Sequence, residues 1–480
     1  TPISTNIRYS TTLSTGKLTS DPAATKFGQH YVHKLTTANL IINIVADLCP
    51  HGMMPLAFGL AQGGGTGWLV ALGLLVGFGI MSTYTMLSYA ALSNATNTKS
   101  IGEIWKKLIN HRTEWVVDLS TLALCFGCCV FYSAFIGDIF ASLSIAIGLK
   151  GLLSERWFVL LLISAGILLP LCLLDDLSAL QFSSFMGFVG IIYTVCFHSI
   201  RLWDNSYTPG SRLLSYVSTK MKPLFPAEGL QMTKISHGTL ILSNMMCVAF
   251  LAHYNSINYF QEFETSPTTQ KYNMTVSIGF GISLLIFAAM MLTGYHLFGT
   301  AAQPLLLNNF PQTADPWANL ARAAIGLAII FSYPLMFAGL KTSLFSLIDS
   351  FTSPQTVLPT LPWWNLLAHL NKPKEEKEVI LPVQRISRQV QVRAVTAVVV
   401  LITVIALQCS EEEVSLVLGI VGSVLGCFVA YILPGVLNIA HHKQQRAMGL
   451  ENNKLEVALN YALVGVGLVF GALGVWATLK

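Results

Sequence analysis

Apolar runs, each about as long as a bilayer crossing, dominate the chain and are separated by shorter polar stretches. Eleven such runs can be read, at approximately 36–61, 67–92, 114–148, 157–174, 178–201, 237–262, 273–299, 317–350, 392–409, 414–440 and 456–479. A crossing helix needs ~20 predominantly apolar residues, so the longer runs are expected to tilt or to extend past the bilayer. The longest polar segments are 202–236 and 351–391, and neither has the makings of a soluble domain. Two runs are irregular. The first reads "NLIINIVADLCPHGMMPLAFGLAQGGG", with Asp47, Pro50, His51, Gly52 and Pro55 near its middle. Pro50 lacks a backbone donor and Gly52 tolerates non-helical dihedrals, which predicts a helix broken at Ala46 to Gly52. The sixth run reads "CVAFLAHYNSINYFQEF" and gathers polar, weak helix formers without a proline. It predicts a break at about Ala252 to Asn255, with Ser256 to Phe263 as a second half-helix. Unwound backbone at membrane depth is tolerated only where protein buries it or where it lines a wet cavity.

Composition agrees with this pattern. The 480 residues are 53% hydrophobic and 11% charged, with a mean hydropathy of +0.60. Soluble domains carry about 25% charged residues, so a water-exposed surface around this chain is excluded and the fold class is an all-α polytopic membrane protein. The net charge of +5 adds little, because Lys and Arg sit in particular loops. With the N-terminus on the cytosolic or matrix side, the inner loops hold twice as many Lys and Arg as the outer loops. The stretches 62–66, 300–315 and 410–413 hold none. An odd span count then places the C-terminus on the opposite side. The charge pattern suggests no nucleic-acid partner. Trp157, Trp363 and Trp364 are expected at the membrane interface. Nine cysteines fall almost entirely within apolar runs. "CFGCC" (Cys125 to Cys129) has roughly metal-like spacing but no His or acidic neighbour, so small core residues are expected, with neither disulfide nor metal site. The chain begins at Thr1, as a processed protein or a fragment. Residues 1–28 are rich in Ser and Thr, with Arg8, Lys17 and Lys26 against Asp21. That composition suits a flexible arm, and also the tail of an organellar transit peptide.

The breaks in runs 1 and 6 lie five spans apart, as expected of inverted repeats with a midplane site between discontinuous helices. The expected organisation is an arm at 1–35, a first repeat at 36–201 (spans 1–5) and an outer loop at 202–236. A second repeat follows at 237–440 (spans 6–10, with an inner loop at 351–391), and then span 11 at 456–479. A helix break presents N–H groups on one side and carbonyls on the other, suited to a carboxylate and a cation respectively. The substrate-binding candidates are therefore Ala46, Asp47, Cys49, His51, Gly52, Ala252, His253, Tyr254 and Asn255. An intramembrane acid is a functional candidate by default. Asp47 either carries a proton or helps to hold Na⁺, or its carboxylate caps the half-helix near Pro50. His51 and His253 are either pore residues or satisfied core histidines. Pro334 frees the carbonyl of Ile330, and Ser332 adds a hydroxyl, so Asp47, Ile330 and Ser332 are coupling-ion candidates. Asp138 is expected to pair with a neighbouring helix, the alternative being to line the entry path. Arg322 is expected to snorkel, Glu411 to Glu413 to form a solvated turn, and Gly419, Gly422 and Gly426 to permit close helix packing. No Walker loop, zinc ligand set, paired catalytic carboxylates or nucleophile triad is visible, so no enzyme activity and no cofactor are expected.

Several segments taken together resemble the amino acid/auxin permease family of the APC superfamily. Within it the sequence is similar to the sodium-coupled neutral amino acid transporters and their vacuolar relatives. The resemblance runs from about residue 35 to 480 through "AFLAHYNSINYFQEF", "YSAFIGDIF", "LLPLCLLDDLSALQFSSFMG", "TGYHLFG", "PLLLNNF", "SYPLMFAGLKTSL" and "VGSVLGCFVAYILPGVL". It implies an eleven-helix fold of five-plus-five inverted repeats with broken helices 1 and 6. It also implies alternating-access transport of an amino acid or related small solute coupled to Na⁺ or H⁺. By position Ser332 matches the hydroxyl of the coupling-ion site and His253 the sixth-span histidine beside the substrate. The first span departs from the family's Gly-small-Gly segment, carrying the bulkier "ADLCPHG" instead. The alternative is an accessory subunit or amino-acid sensor that keeps the fold within a larger membrane complex and has no flux of its own. Plasma membrane, vacuole or lysosome, and mitochondrial or plastid inner membrane all suit the sequence.

Overall fold

The computed structural model describes residues 35–174, 181–227, 229, 231–264, 268–352, 387–450 and 453–479. The N-terminal arm and most of the inner loop, with Trp363 and Trp364, lie outside these residues. Regular structure among the described residues is helical, apart from single backbone bridges between Leu35 and Phe263 and between Leu224 and Gly299. The helices are α1 (Thr37–Gly52), α2 (Leu56–Ala61), α3 (Trp68–Thr96), α4 (Ile101–Leu108) and α5 (Glu114–Ala146). There follow α6 (Arg156–Cys172), α7 (Gln181–Trp203), α8 (His237–Ala249), α9 (Ser256–Glu262), α10 (Thr269–Phe298) and α11 (Pro316–Thr352). The last are α12 (Arg388–Gln408), α13 (Glu411–Ile420), α14 (Leu433–Ala447) and α15 (Lys454–Leu479).

Among the described residues, nine helical segments are long and apolar enough to cross a membrane. They cover every apolar run except the fourth, which forms the shorter α6, and the first, which is divided between α1 and α2. Burial separates centre from periphery. The most apolar window of the α8–α9 segment is 89% buried and that of α5 and of α11 is 72%, against 28% for α12 and 22% for α15. A helix apolar all round and buried is a core helix, whereas one apolar and exposed in a membrane protein faces lipid. The centre is therefore α1, α5, α8–α9 and α11, with α12 and α15 outside. Gly419 and Gly422 allow α13 and the turns after it to approach Thr478 of α15 and the Asn244 backbone of α8, as small interface residues should.

Local chemistry sets the helix ends. Thr36 accepts the Asn39 N–H at the start of α1, and Ser236 with Thr239 forms a capping box at the start of α8. Glu411 to Glu413 are helical and not in a turn, while Glu413 is exposed to solvent as expected. They open α13, whose capping residue Ser410 donates its backbone N–H to the Glu413 carboxylate at 2.8 Å.

The first break also differs from expectation. α1 runs unbroken through Pro50 to Gly52, and the chain leaves the helix at Met53 to Pro55. Pro50 cannot donate to the carbonyl four residues earlier, that of Ala46, and the Ser332 hydroxyl of α11 donates to it at 2.6 Å instead. A hydroxyl from a distant span thus lets the helix continue past its proline. The second break lies where the sequence places it. α8 ends at Ala249, a single 3₁₀ turn covers His253–Asn255, and α9 begins at Ser256. The two broken segments meet again at one end, where Leu35 N–H donates to Glu262 O (2.8 Å) and Glu264 N–H donates to Leu35 O (3.2 Å).

Arg322 does not snorkel. It is 1% exposed, and its guanidinium donates to the carbonyls of Leu307 (2.9 Å), Phe310 (2.7 Å) and Pro311 (3.3 Å) and to Asn319 Oδ1 (2.6 Å). It fastens the irregular stretch before α11. Asp138 of α5 pairs with Arg156 Nε of α6 at 2.5 Å, the helix-to-helix link that an acid in that position suggests.

Candidate binding site at the two helix breaks

The α1 residues from Asn43 to Gly52 are all buried, and so are His253, Tyr254 and Asn255. Asp47 is the centre of their meeting. Its carboxylate accepts hydrogen bonds from Tyr254 Oη (2.6 Å), Asn255 Nδ2 (3.1 Å) and Tyr259 Oη (2.9 Å). All three donors lie on the sixth segment, so the acid ties the broken segments to each other and does not cap the half-helix near Pro50. The spacing explains the grouping. Asn255 and Tyr259 are one helical turn apart and present one face, and Asp47 and His51 do the same on α1.

One turn beyond Asp47, His51 is fully buried. Its Nε2 lies 3.1 Å from the Val248 carbonyl and its Nδ1 lies 2.5 Å from Tyr132 Oη. A carbonyl only accepts, so Nε2 carries a proton, while Nδ1 pairs with Tyr132 Oη, which can donate or accept. Both ring nitrogens are used. Gly52 lets α1 touch α8 closely. A Cβ there would stand 2.6 Å from Phe287 Cζ and 2.9 Å from both Cα and O of Ala249. Gly52→Val is expected to cost ~1–3 kcal/mol by overpacking, since the Ala249 backbone cannot swing aside. Thermal unfolding of the purified protein should show a Tm lower by about 2–5 °C. An unchanged Tm would mean that the contact relaxes.

Other expected site residues point elsewhere. His253 is turned towards α3, with Nε2 at 2.8 Å from Thr85 Oγ1 and 3.2 Å from the Ser82 carbonyl. The Cys49 thiol faces Ser283 of α10. Ala252 offers its carbonyl to Asn255 N–H at 3.0 Å. Ser332 shares its hydroxyl between the Ala46 carbonyl and that of Ala328 (2.9 Å), while Ile330 is buried one turn before Pro334. Tyr132 and Tyr259 are the partners that sequence reasoning overlooked. Both lie in motifs it quoted, and a helical-face count from Asn255 would have found Tyr259.

Cavities lie at opposite ends of α5 and α11. One, of about 640 Å³, is walled by Glu114, Asp118, Asp349 and Tyr254 among others. Tyr254 is thus a wall residue of this cavity and a donor to Asp47. The other, of about 490 Å³, is walled by Asp138, Arg156, Gln312 and Arg322 among others. The buried acid can bind a cation or exchange a proton, and the adjacent Ala46 carbonyl on the same helix, with the Ser332 hydroxyl of α11, offers further oxygens.

A family model described as "Transmembrane amino acid transporter protein" matches residues 33–480. The human protein named sodium-coupled neutral amino acid transporter 7 is 24% identical over 454 residues, covering 92% of this chain and 86% of that protein. Vacuolar amino acid transporter 7 of Saccharomyces cerevisiae is 27% identical over 236 residues, covering 48% of this chain and 44% of its own length. Among solved structures, MhsT in complex with L-phenylalanine superposes with a TM-score of 0.51 at 12% identity, over 92% of this chain and 98% of that one, a likeness of fold alone.

Proposed function

This chain belongs to the transmembrane amino acid transporter family, the amino acid/auxin permeases, and on that premise we propose a secondary active transporter. It moves amino acids or a closely related small solute, is driven by H⁺ or Na⁺, and works by alternating access. Its family and its relatives are transporters and not enzymes. The observation that carries the reading is the meeting of two broken segments on Asp47, with a cavity at either end of α5 and α11. Discontinuous helices crossing at mid-depth are where such folds hold substrate and ion.

In this reading the protein has eleven spans, with repeats at 36–201 and 237–440 and a last span at 456–479. The outer loop is 202–236 and the inner loop 351–391, and the arm at 1–35 faces the positive side. Substrate contacts come from Asp47, His51, Gly52, Tyr254 and Asn255, with Ala46, Cys49, Ala252 and His253 shaping the surround. The coupling ion uses Asp47 together with oxygens near Ser332 and Ile330. Support for an oxygen-lined ion position comes from the Ser332 hydroxyl and the Ala46 carbonyl, 2.6 Å apart, which must separate to admit an ion between them.

Uptake by the purified protein in liposomes, across a panel of amino acids and under imposed Na⁺ or pH gradients, tests the proposal. Saturable uptake driven by one gradient is expected. Ser332→Ala should raise the Na⁺ concentration needed for half-maximal uptake about 10-fold if Na⁺ drives it, the effect of losing one oxygen ligand to the ion. Absence of uptake under every gradient would overturn the reading. It would favour a sensor or accessory subunit, to which the three bonds Asp47 accepts and the two that Ser332 makes within the protein also lend support.

A further inference from the structure

The charge at the centre of this site has one sign. The side chains that meet at the breaks are Asp47, His51, Tyr132, Tyr254, Asn255 and Tyr259. They contain one carboxylate and no Lys or Arg, and both ring nitrogens of His51 are taken up by Tyr132 and the Val248 carbonyl. Among the described residues, the donors to Asp47 are two hydroxyls and an amide, all uncharged. A carboxylate has about four acceptor positions, and three are taken. The open one is on Oδ1, which accepts only from Tyr254.

Two backbone positions at the first break are closed to a substrate carboxylate. At the first break Gly52 is pressed against Ala249 and Phe287, and Pro55, which heads α2, has no N–H. The approach carries the same sign as the site. The cavity that reaches Tyr254 is walled by Glu103, Glu114, Asp118 and Asp349 against Lys99 and Lys106. One of these acids is already neutralised by the 3.6 Å pair of Lys106 with Glu114. A net acidic cavity concentrates cations and repels anions. Tyr254 both walls this cavity and donates to Asp47 Oδ1.

We propose that this site recognises its substrate by an ammonium group placed on Asp47, with Tyr254 as the movable cover, and that a free carboxylate on the substrate is dispensable. The substrate class is then amine-bearing solutes, amino acids among them by virtue of their amino group. This inference rests on the reading of the helix breaks as the substrate site.

The test alters one end of the ligand at a time. L-alanine, L-leucine and L-glutamine are each compared with their α-amides, which keep the ammonium, and their N-acetyl derivatives, which keep the carboxylate and no ammonium. Binding is read by thermal stabilisation of the full chain in lipid nanodiscs, and transport by inhibition of parent uptake into liposomes. The amides should act within about threefold of their parents. The N-acetyl forms should need about 10- to 100-fold more, the loss of a hydrogen bond to a charged group. N-acetyl forms that bind like their parents, or amides that fail to, overturn the proposal even while uptake succeeds. Amides that bind without uptake leave it standing and remove only the transport reading. No binding by parent, amide or N-acetyl form removes both. Tyr254→Phe, which lifts one donor from Asp47 and keeps the ring, should leave the preference for amides over N-acetyl forms intact. Loss of that preference would also overturn the proposal.

Discussion

Asp47→Asn is expected to lower uptake by about 100-fold or more. The substitution keeps the shape of the side chain but removes the charge and turns one acceptor into a donor. Tyr254, Asn255 and Tyr259 all donate to Asp47 in the native arrangement. The new amide can keep its oxygen towards Asn255 and Tyr259 and turn its nitrogen to Tyr254, whose hydroxyl rotates to accept, so the hydrogen-bond pattern survives. What is lost is the charge, the group on which a cation or proton would sit. Initial uptake rates in liposomes check this, with Asp47→Glu as the charge-preserving control. Asn at twice or half the native rate would remove Asp47 from both the substrate and the coupling roles.

Arg322→Leu is expected to be the most damaging single change to the fold. The guanidinium serves four acceptors drawn from residues 307–319. Removing it leaves the carbonyls of Leu307, Phe310 and Pro311 buried with one fewer donor each. Breaking such a buried charged network costs ~3–5 kcal/mol. Arg322→Lys should recover only part of it, because one ammonium cannot span the planar fork's contacts. Thermal unfolding in detergent should show Tm reduced by roughly 5–10 °C for the Leu variant, with poorer recovery as a single species. An unchanged Tm would show that the acceptors find other donors.

These residues also show what could be read from the chain beforehand. Helical class and the placement of the apolar runs follow from hydropathy, because a bilayer demands long apolar helices whatever their partners. The break at His253–Asn255 was legible for the same kind of local reason, being a cluster of weak helix formers. The break after Pro50 was misplaced because its outcome is decided elsewhere. Whether a proline interrupts a helix depends on who takes the freed carbonyl, and here the taker is Ser332, nearly three hundred residues away in sequence. Arg322 was misread likewise. A lone arginine near a span end normally reaches for water, and only the loop folded over it supplies enough carbonyls to keep it inside. Asp47 was identified by type, but its partners came from the fold.

The backbone bridge from Leu35 to Glu262 and Glu264 bears on how the site can move. The first and sixth segments are joined at this end by main-chain bonds, with Thr37 adding a 3.4 Å bond to the Glu264 carboxylate, and again farther along through Asp47. Two struts pinned at two separated points form a truss. A truss can be tilted by a load, but its members cannot rotate independently. In the proposed transport cycle, opening and closing would then be referred to α5 and α11, with the pair moving as one lever and the pins holding Asp47 and Tyr259 in register.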